Sequence, residues 1–332
     1  MNEKRELDEI LGISPIESLL KKAYEIKNVS KDYIVRKDNN LVNIHMNDYG
    51  GLTFVDTEGY MHSNALSNFA RSQLCTKIGV PASYLDKCIK SGRLDLAQEN
   101  VNSWLEGYSA DLFLREYNGT IRGVLTPKYS VCDSHEILEC LNDTVDLDNY
   151  TVKGSYLSEE RLHLRLCGTE MLPIDGEDLF PAIFVDSSDV GRSTLIVQFG
   201  IYKLVCTNGL VISRASGTLF KQVHRGISVE ELHEGLKTAL SKIDILAENS
   251  VEWVKKTQAK KIEHDTLEEF IASIRNTTKL SEDKAKKVID LMNTRYSMNK
   301  WGLINGITEV AQDFTLERRL ELETIAGNLL VA

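Results

Sequence analysis

The chain has 332 residues, a formal net charge of −10, 42% hydrophobic and 27% charged residues. These values are ordinary for a folded globular protein and exclude collagen-like, membrane-spanning and largely disordered classes. That length buries a substantial core, in one large domain or two medium ones, without disulfide or metal staples. The first residues lack the long apolar run of a signal peptide, and no later stretch reaches the roughly 20 apolar residues of a membrane span. A cytoplasmic protein with no membrane partner is expected. The six cysteines, Cys75, Cys88, Cys132, Cys140, Cys167 and Cys206, form no CxxC pair and no knuckle with His at ligand spacing, so reduced thiols are expected, with no metal and no cofactor.

In chain order, residues 1–30 read as an acidic helical arm with an apolar stripe of Leu7, Ile10, Leu11, Ile16, Leu19 and Leu20. Such an arm caps the domain or joins a neighbouring subunit. Residues 31–227 read as an α+β core domain. Within it, residues 31–62 alternate polar and apolar around a hairpin signal at Tyr49-Gly50-Gly51, and the pattern predicts a helix over 63–78 that stops at Gly79-Val80-Pro81. Residues 110–125 predict two strands hinged at Asn118-Gly119. A short helix follows over 133–141, with Asp133 or Ser134 as N-cap. Strands are predicted over 150–155, 161–168, 180–186 and 193–205. Residues 228–332 read as a helical region, opened by a capping box of Ser228 and Glu231 on one long amphipathic helix that reaches Val254. Further helices are predicted over 267–275, 282–294, 301–312 and 316–329. The fold class is α+β: a mixed, largely antiparallel sheet with inserted helices, followed by a helical C-terminal region.

Charge is unevenly spread. Residues 190–229 contain no Asp or Glu, yet carry Arg192, Lys203, Arg214, Lys221 and Arg225, with His224 among them. Such a block suits phosphate binding, and equally suits a buried β-rich core with bases at strand ends. Lys203 lies on a strand that runs into Asn208-Gly209, a pair that tolerates positive φ and turns sharply. Its position supports either a phosphate contact or a core strand. Arg115, Arg122, Lys128 and Tyr129 form a second candidate surface, where the ring stacks on a base and the cations meet phosphates. Arg161, His163 and Arg165 alternate and so share one strand face, which is expected to be wet or to hold an anion, because three cationic groups repel in a core.

No phosphate-binding loop, dinucleotide fingerprint, HExxH helix or GxSxG elbow is present, so no catalytic residue is assigned. Asp133, His135, Glu136 and Glu139 crowd one short segment, which reads as a solvated helix face before it reads as a site.

Four ordered blocks carry a resemblance: residues 70–84 with Gly79-Val80-Pro81, then Arg122-Gly123-Val124-Leu125-Thr126-Pro127-Lys128-Tyr129, Tyr202-Lys203-Leu204-Val205-Cys206-Thr207-Asn208-Gly209, and Trp301-Gly302-Leu303-Ile304-Asn305-Gly306-Ile307-Thr308-Glu309. Together they resemble a phage and plasmid-like family catalogued as domain of unknown function 932, over residues 51–330. The resemblance implies an origin on a mobile element and carries no activity with it. Lys203 stands where such proteins are expected to carry Arg, which keeps the charge and loses the fork geometry.

The function expected from these features is single-stranded DNA binding and annealing in recombination, by a homo-oligomer. Annealing needs no catalytic residue. One alternative is a protein that binds and inhibits a host defence protein through its acidic surface, with DNA mimicry as one version. Another is a nucleic-acid enzyme that uses the carboxylates between Asp133 and Glu139.

Overall fold

The computed structural model describes residues 16–37, 43–146, 149–174, 176–203, 208–211, 218–222 and 228–331. The α+β class holds, with the strands divided between two sheets instead of gathered in one. Helix α1 (Ile16–Val29) leads directly into the first sheet, built from β1 (Ser30–Val35), β2 (Ile44–Met46), β3 (Leu52–Val55), β4 (Met61–Leu66), β5 (Leu112–Tyr117) and β6 (Thr120–Leu125) in the order β1-β5-β6-β4-β3-β2. Only β4 and β6 pair in parallel, Ala65 beside Thr120 and Leu66 beside Ile121; the remaining pairs are antiparallel. Asn118 and Gly119 both take positive φ and make the β5–β6 turn that their sequence announces.

Helices α2 (Asn68–Ile78), α3 (Ala82–Lys90) and α4 (Leu94–Gly107) cover one face of this sheet. Leu52, Phe54, Leu74, Leu85, Val101 and Leu114 fill the core between them. The helix expected from residue 63 starts later. Met61–Leu66 is strand β4, pinned by β3 on one side and β6 on the other. Ser67 is the N-cap, its Oγ accepting the Ala70 N–H at 3.1 Å.

Helix α5 (Ser134–Thr144) precedes the second, antiparallel sheet of β7 (Tyr150–Leu157), β8 (Leu162–Gly168), β9 (Leu179–Ser187), β10 (Leu195–Lys203), β11 (Asn208–Val211) and β12 (Thr218–Gln222). The order is β11-β10-β9-β8-β7, with β12 sharing the free edge of β10. The helical C-terminal region follows as α6 (Val229–Leu240), α7 (Ile243–Ala259), α8 (Leu267–Thr278), α9 (Glu282–Thr294), α10 (Lys300–Ala311) and α11 (Leu316–Leu330). The long helix expected from Ser228 to Val254 is thus two helices with a turn at Ser241-Lys242. Both Leu240 and Ile243 are buried, so the apolar stripe runs through the break, and periodicity alone cannot reveal it.

The hydrophobic cores divide between Val124 and Cys132. The boundary drawn at 227/228 falls inside the second core, which β8, β9 and β10 share with α5 to α11. Helix α1 belongs there too: Ile16, Leu19 and Ala23 pack into the second core, although β1, its direct continuation, lies in the first sheet. The two halves are therefore clasped at both ends of the first one. No helix among the described residues is long and apolar enough to cross a membrane.

Candidate nucleic-acid interface

Where the halves meet, the outer face of β1, β5 and β6 carries charge into the interior. Arg115 on β5 is fully buried. It donates from Nε to Asp32 at 2.9 Å, from Nη2 to Asp133 at 2.7 Å and from Nη1 to the Asp189 carbonyl at 2.9 Å. Arg122 reaches the same Asp189 carboxylate at 2.8 Å, and Lys27 closes the set on Asp133 at 2.6 Å. Three cations and three carboxylates share one junction whose centre, Arg115, Arg122, Asp133 and Asp189, is buried while Lys27 and Asp32 reach solvent, an arrangement that makes the buried charge tolerable. Burial works against the ionised Asp133, yet the charges of Arg115 and Lys27 hold its carboxyl well below the usual range. Burial prevails at Asp189 and raises it. The loop supplying Asp189 lies against the first sheet: a Cβ on Gly123 would sit 3.2 Å from Val190, and Gln73 bridges the Val190 carbonyl and the Val124 N–H.

A second polar chain runs along β8, every residue of which is buried. Arg161 and His163 both meet Asp186 Oδ2, at 2.7 and 3.2 Å. The Arg165 Nε–H points at His163 Nε2 at 3.4 Å, which assigns the imidazole proton to Nδ1. Arg165 and Arg319 then grip the fully buried Glu323 on α11, each at 2.8 Å. Burial lowers the His163 pKa, against the pull of Asp186. The expectation of a wet or anion-bound face on β8 is corrected here: Asp186 and Glu323 neutralise it, and α11 contributes to closing it over.

The third constellation is open. Lys203 ends β10 and lies 2.7 Å from Glu177, donates to Asn305 Oδ1 at 3.0 Å, and stands 5.4 Å from the Tyr296 ring centre and 5.8 Å from that of Trp301. Trp301 donates its indole N–H to Glu177 at 2.6 Å. Lys203, Glu177, Tyr296 and Trp301, with Asp178, Arg295, Asn299 and Gln258, line a half-open cleft of about 540 Å³, inside the roughly 300–1,000 Å³ range of ligand sites. Asn299 fixes one wall as the N-cap of α10, accepting the Gly302 N–H at 2.8 Å. Two of the sequence blocks, the one around Lys203 and the one from Trp301, meet in this cleft.

The predicted residues therefore scatter. Arg115, Arg122 and Arg165 are interior, and their role there is charge pairing; a phosphate-facing role for them is corrected, because their guanidiniums are buried against carboxylates or backbone carbonyls. Arg161 is partly exposed and tied to Asp186. Arg192 is exposed, paired with Glu160 at 2.7 Å and set over the Phe69 ring. Tyr129 is half-buried, its hydroxyl donating to the Ser188 carbonyl at 3.0 Å. Lys128 and Lys221 are exposed. Arg214, His224 and Arg225, with Cys206, lie outside the described residues. The carboxylates near Asp133 do not converge. Asp133 and Glu136 make the capping box of α5, and Glu139 accepts the Tyr24 hydroxyl. Among the described residues no group of three His, Cys, Asp or Glu side chains is placed to hold a metal.

Sequence reasoning missed Glu177, Arg295 and Tyr296. The last two stand a few residues before the Trp301 block, which is the one signal that pointed toward them; Glu177 had none. A family model described as a domain of unknown function, DUF932, matches residues 122–326, more than half of the chain. The chain belongs to this family. No curated protein and no solved structure matches it. The DUF932 span takes in Arg122, the β8 chain and the whole Lys203 cleft. It begins after α2 and α3, so the block at residues 70–84 lies outside it.

Proposed function

We propose that the protein binds single-stranded DNA and works in strand annealing as an oligomer, without making or breaking covalent bonds. The observation that supports this is the Lys203 cleft. It combines cations (Lys203, Arg295), an aromatic wall (Tyr296) and amides (Asn299, Gln258) in one open depression with two acids, Glu177 and Asp178; Lys203 is paired with Glu177 and Arg295 with Glu309, so a phosphate would take over cations that those carboxylates now hold. Such a set suits an unpaired base and its phosphate: rings accept any base face, and cations follow the backbone. The capping and pairing roles of Asp133, Glu136 and Glu139 favour this binding role over the carboxylate enzyme.

The test is titration of labelled single-stranded oligonucleotide across a salt series, with mass measured by light scattering. The wild-type protein is expected to bind tightly at low salt, to lose affinity steeply as salt rises, and to grow in mass. Arg295→Glu, an exposed position, is expected to weaken binding at least fivefold and flatten the salt slope. Unchanged affinity in the folded variant removes the cleft from the reading. A strict monomer with and without DNA removes annealing, and no binding at all moves the choice to the protein-binding inhibitor.

A further inference from the structure

A different part of the molecule, in the first half, joins two short helices by a tight turn. Helices α2 and α3 are joined by three residues, Gly79-Val80-Pro81. Gly79 ends α2 with φ +76, and its would-be Cβ has nothing within 4 Å, so the left-handed backbone alone demands glycine. Both the Gly79 and the Val80 N–H groups return to the Cys75 carbonyl, the latter at 3.0 Å, and Val80 is buried. This is the tight hydrophobic closure of a helix end. Pro81 then fixes the start of α3 with φ −64.

The apolar spacing is specific. Leu74, Cys75 and Ile78 on α2, Val80 in the turn, and Leu85 and Cys88 on α3 are all buried in the first core. Relative to the turn glycine these are positions −5, −4, −1, +1, +6 and +9. That spacing buries one face of each of two short helices across a three-residue turn and leaves one face of the second free, a connection of the length and glycine content that a helix-turn-helix uses. The free face of α3 bears Ser83, Tyr84, Lys87 and Lys90, all exposed. Lys87 and Lys90 make no ion pair among the described residues.

The carboxylate of α3, Asp86, is taken by Arg71 of α2, with Nη2 at 2.7 Å and Nε at 3.1 Å from the same oxygen. That contact locks the helix pair and cancels the negative charge on α3. Two exposed lysines without an ion pair among the described residues, on a helix whose one carboxylate is already neutralised, give α3 a positive face suited to phosphate. No side chain caps the N-terminus of α3, which leaves its first amides open to an anion. At nine residues the helix is about 13 Å long, the scale of a B-DNA major groove.

We propose that α2, the Gly79-Val80-Pro81 turn and α3 form a helix-turn-helix that seats α3 in the major groove of duplex DNA. Ser83 and Tyr84 face the bases at the helix start, and Lys87 and Lys90 meet the flanking phosphates. The reading requires nothing of the Lys203 cleft, which lies in the other half of the molecule.

The experiment uses the full chain and a labelled mixed-sequence duplex of about 30 base pairs, long enough for several helical turns, titrated by anisotropy from low to physiological salt. The wild-type protein is expected to bind at low salt. Lys87→Glu with Lys90→Glu is expected to lose at least tenfold in duplex affinity, with a slope of log K against log salt flatter by about 2. Ser83→Glu, a single change at an exposed position, is expected to weaken binding in the same direction. Arg295→Glu is expected to leave duplex binding intact, which separates this site from the single-strand cleft. Unchanged duplex affinity in variants that keep the wild-type circular dichroism and melting midpoint overturns the proposal. So does failure of the wild-type protein to bind duplex at low salt.

Discussion

Arg115 and Lys87 belong to the same half of the molecule and face opposite fates. Arg115 stands on a strand whose outer face is covered by a loop from the second half, so its charge is met by Asp32, Asp133 and Asp189. Lys87 stands on a helix whose inner face, through Leu85 and Cys88, already satisfies the core, so its charge is left to solvent. A covered strand spends both faces on the protein, whereas a surface helix keeps one in reserve. Cations counted along the sequence look alike in the two settings; what separates them is whether an acid from a distant segment comes to meet them.

The sharpest way to break this comparison is to remove the acid. Asp189→Ala leaves Arg115 and Arg122 short of a shared partner in a dry site, and is expected to lower unfolding free energy by about 3–5 kcal/mol in urea titration. A loss of a few tenths would mean that the junction is wet and the contrast with Lys87 unreal. A smaller effect is expected from acid. The folded protein keeps His163 neutral below the ordinary imidazole value of 6.5, because burial and the Arg165 donor oppose the proton more than Asp186 invites it. The unfolded chain takes that proton first. Stability is therefore full above pH 6.5 and falls as pH drops below it. His163→Gln is expected to flatten the melting midpoint over that window, and an unaltered profile would assign the acid loss to carboxylates instead. The smallest effect is expected at the exposed end: Lys87→Glu with Lys90→Glu should leave the midpoint unmoved, so that any lost DNA affinity is a surface effect.

Much of the fold was legible because local signals agreed with tertiary demand. Asn118-Gly119, the Ser228–Glu231 box and the strands β7 to β10 lie where turn chemistry and alternation put them. Residues 63–66 misled because polar Ser63 and Asn64 resemble a helix start, while in the structure they pair with Thr53 and Leu52 of β3, and Ala65 and Leu66 pair with β6 across more than fifty residues. The Arg161, His163, Arg165 alternation was read correctly as one face and wrongly as a wet one. Its neutralising partner Glu323 is 158 residues from Arg165, and no local pattern announces it. For the same reason the cleft was seen only from one side: Lys203 was visible, while Glu177 and Tyr296 reach it through the packing of α10 against the second sheet.

The insertion of Asp189 into the first sheet also sets a schedule. A ribosome releases this chain from the N-terminus, and Arg122 emerges 67 residues before the carboxylate that pairs with it. At about 5–20 residues per second, that gap lasts roughly 3–13 s. During it, Arg122 lacks its carboxylate on a sheet whose helices are already complete, Arg115 is met by Asp32 and Asp133 but not yet by Asp189, and α1 waits for a core not yet synthesised. The nascent first half thus leaves the Arg122 face of its sheet unclosed for seconds, until the second half brings the acid that makes that arginine part of the interior.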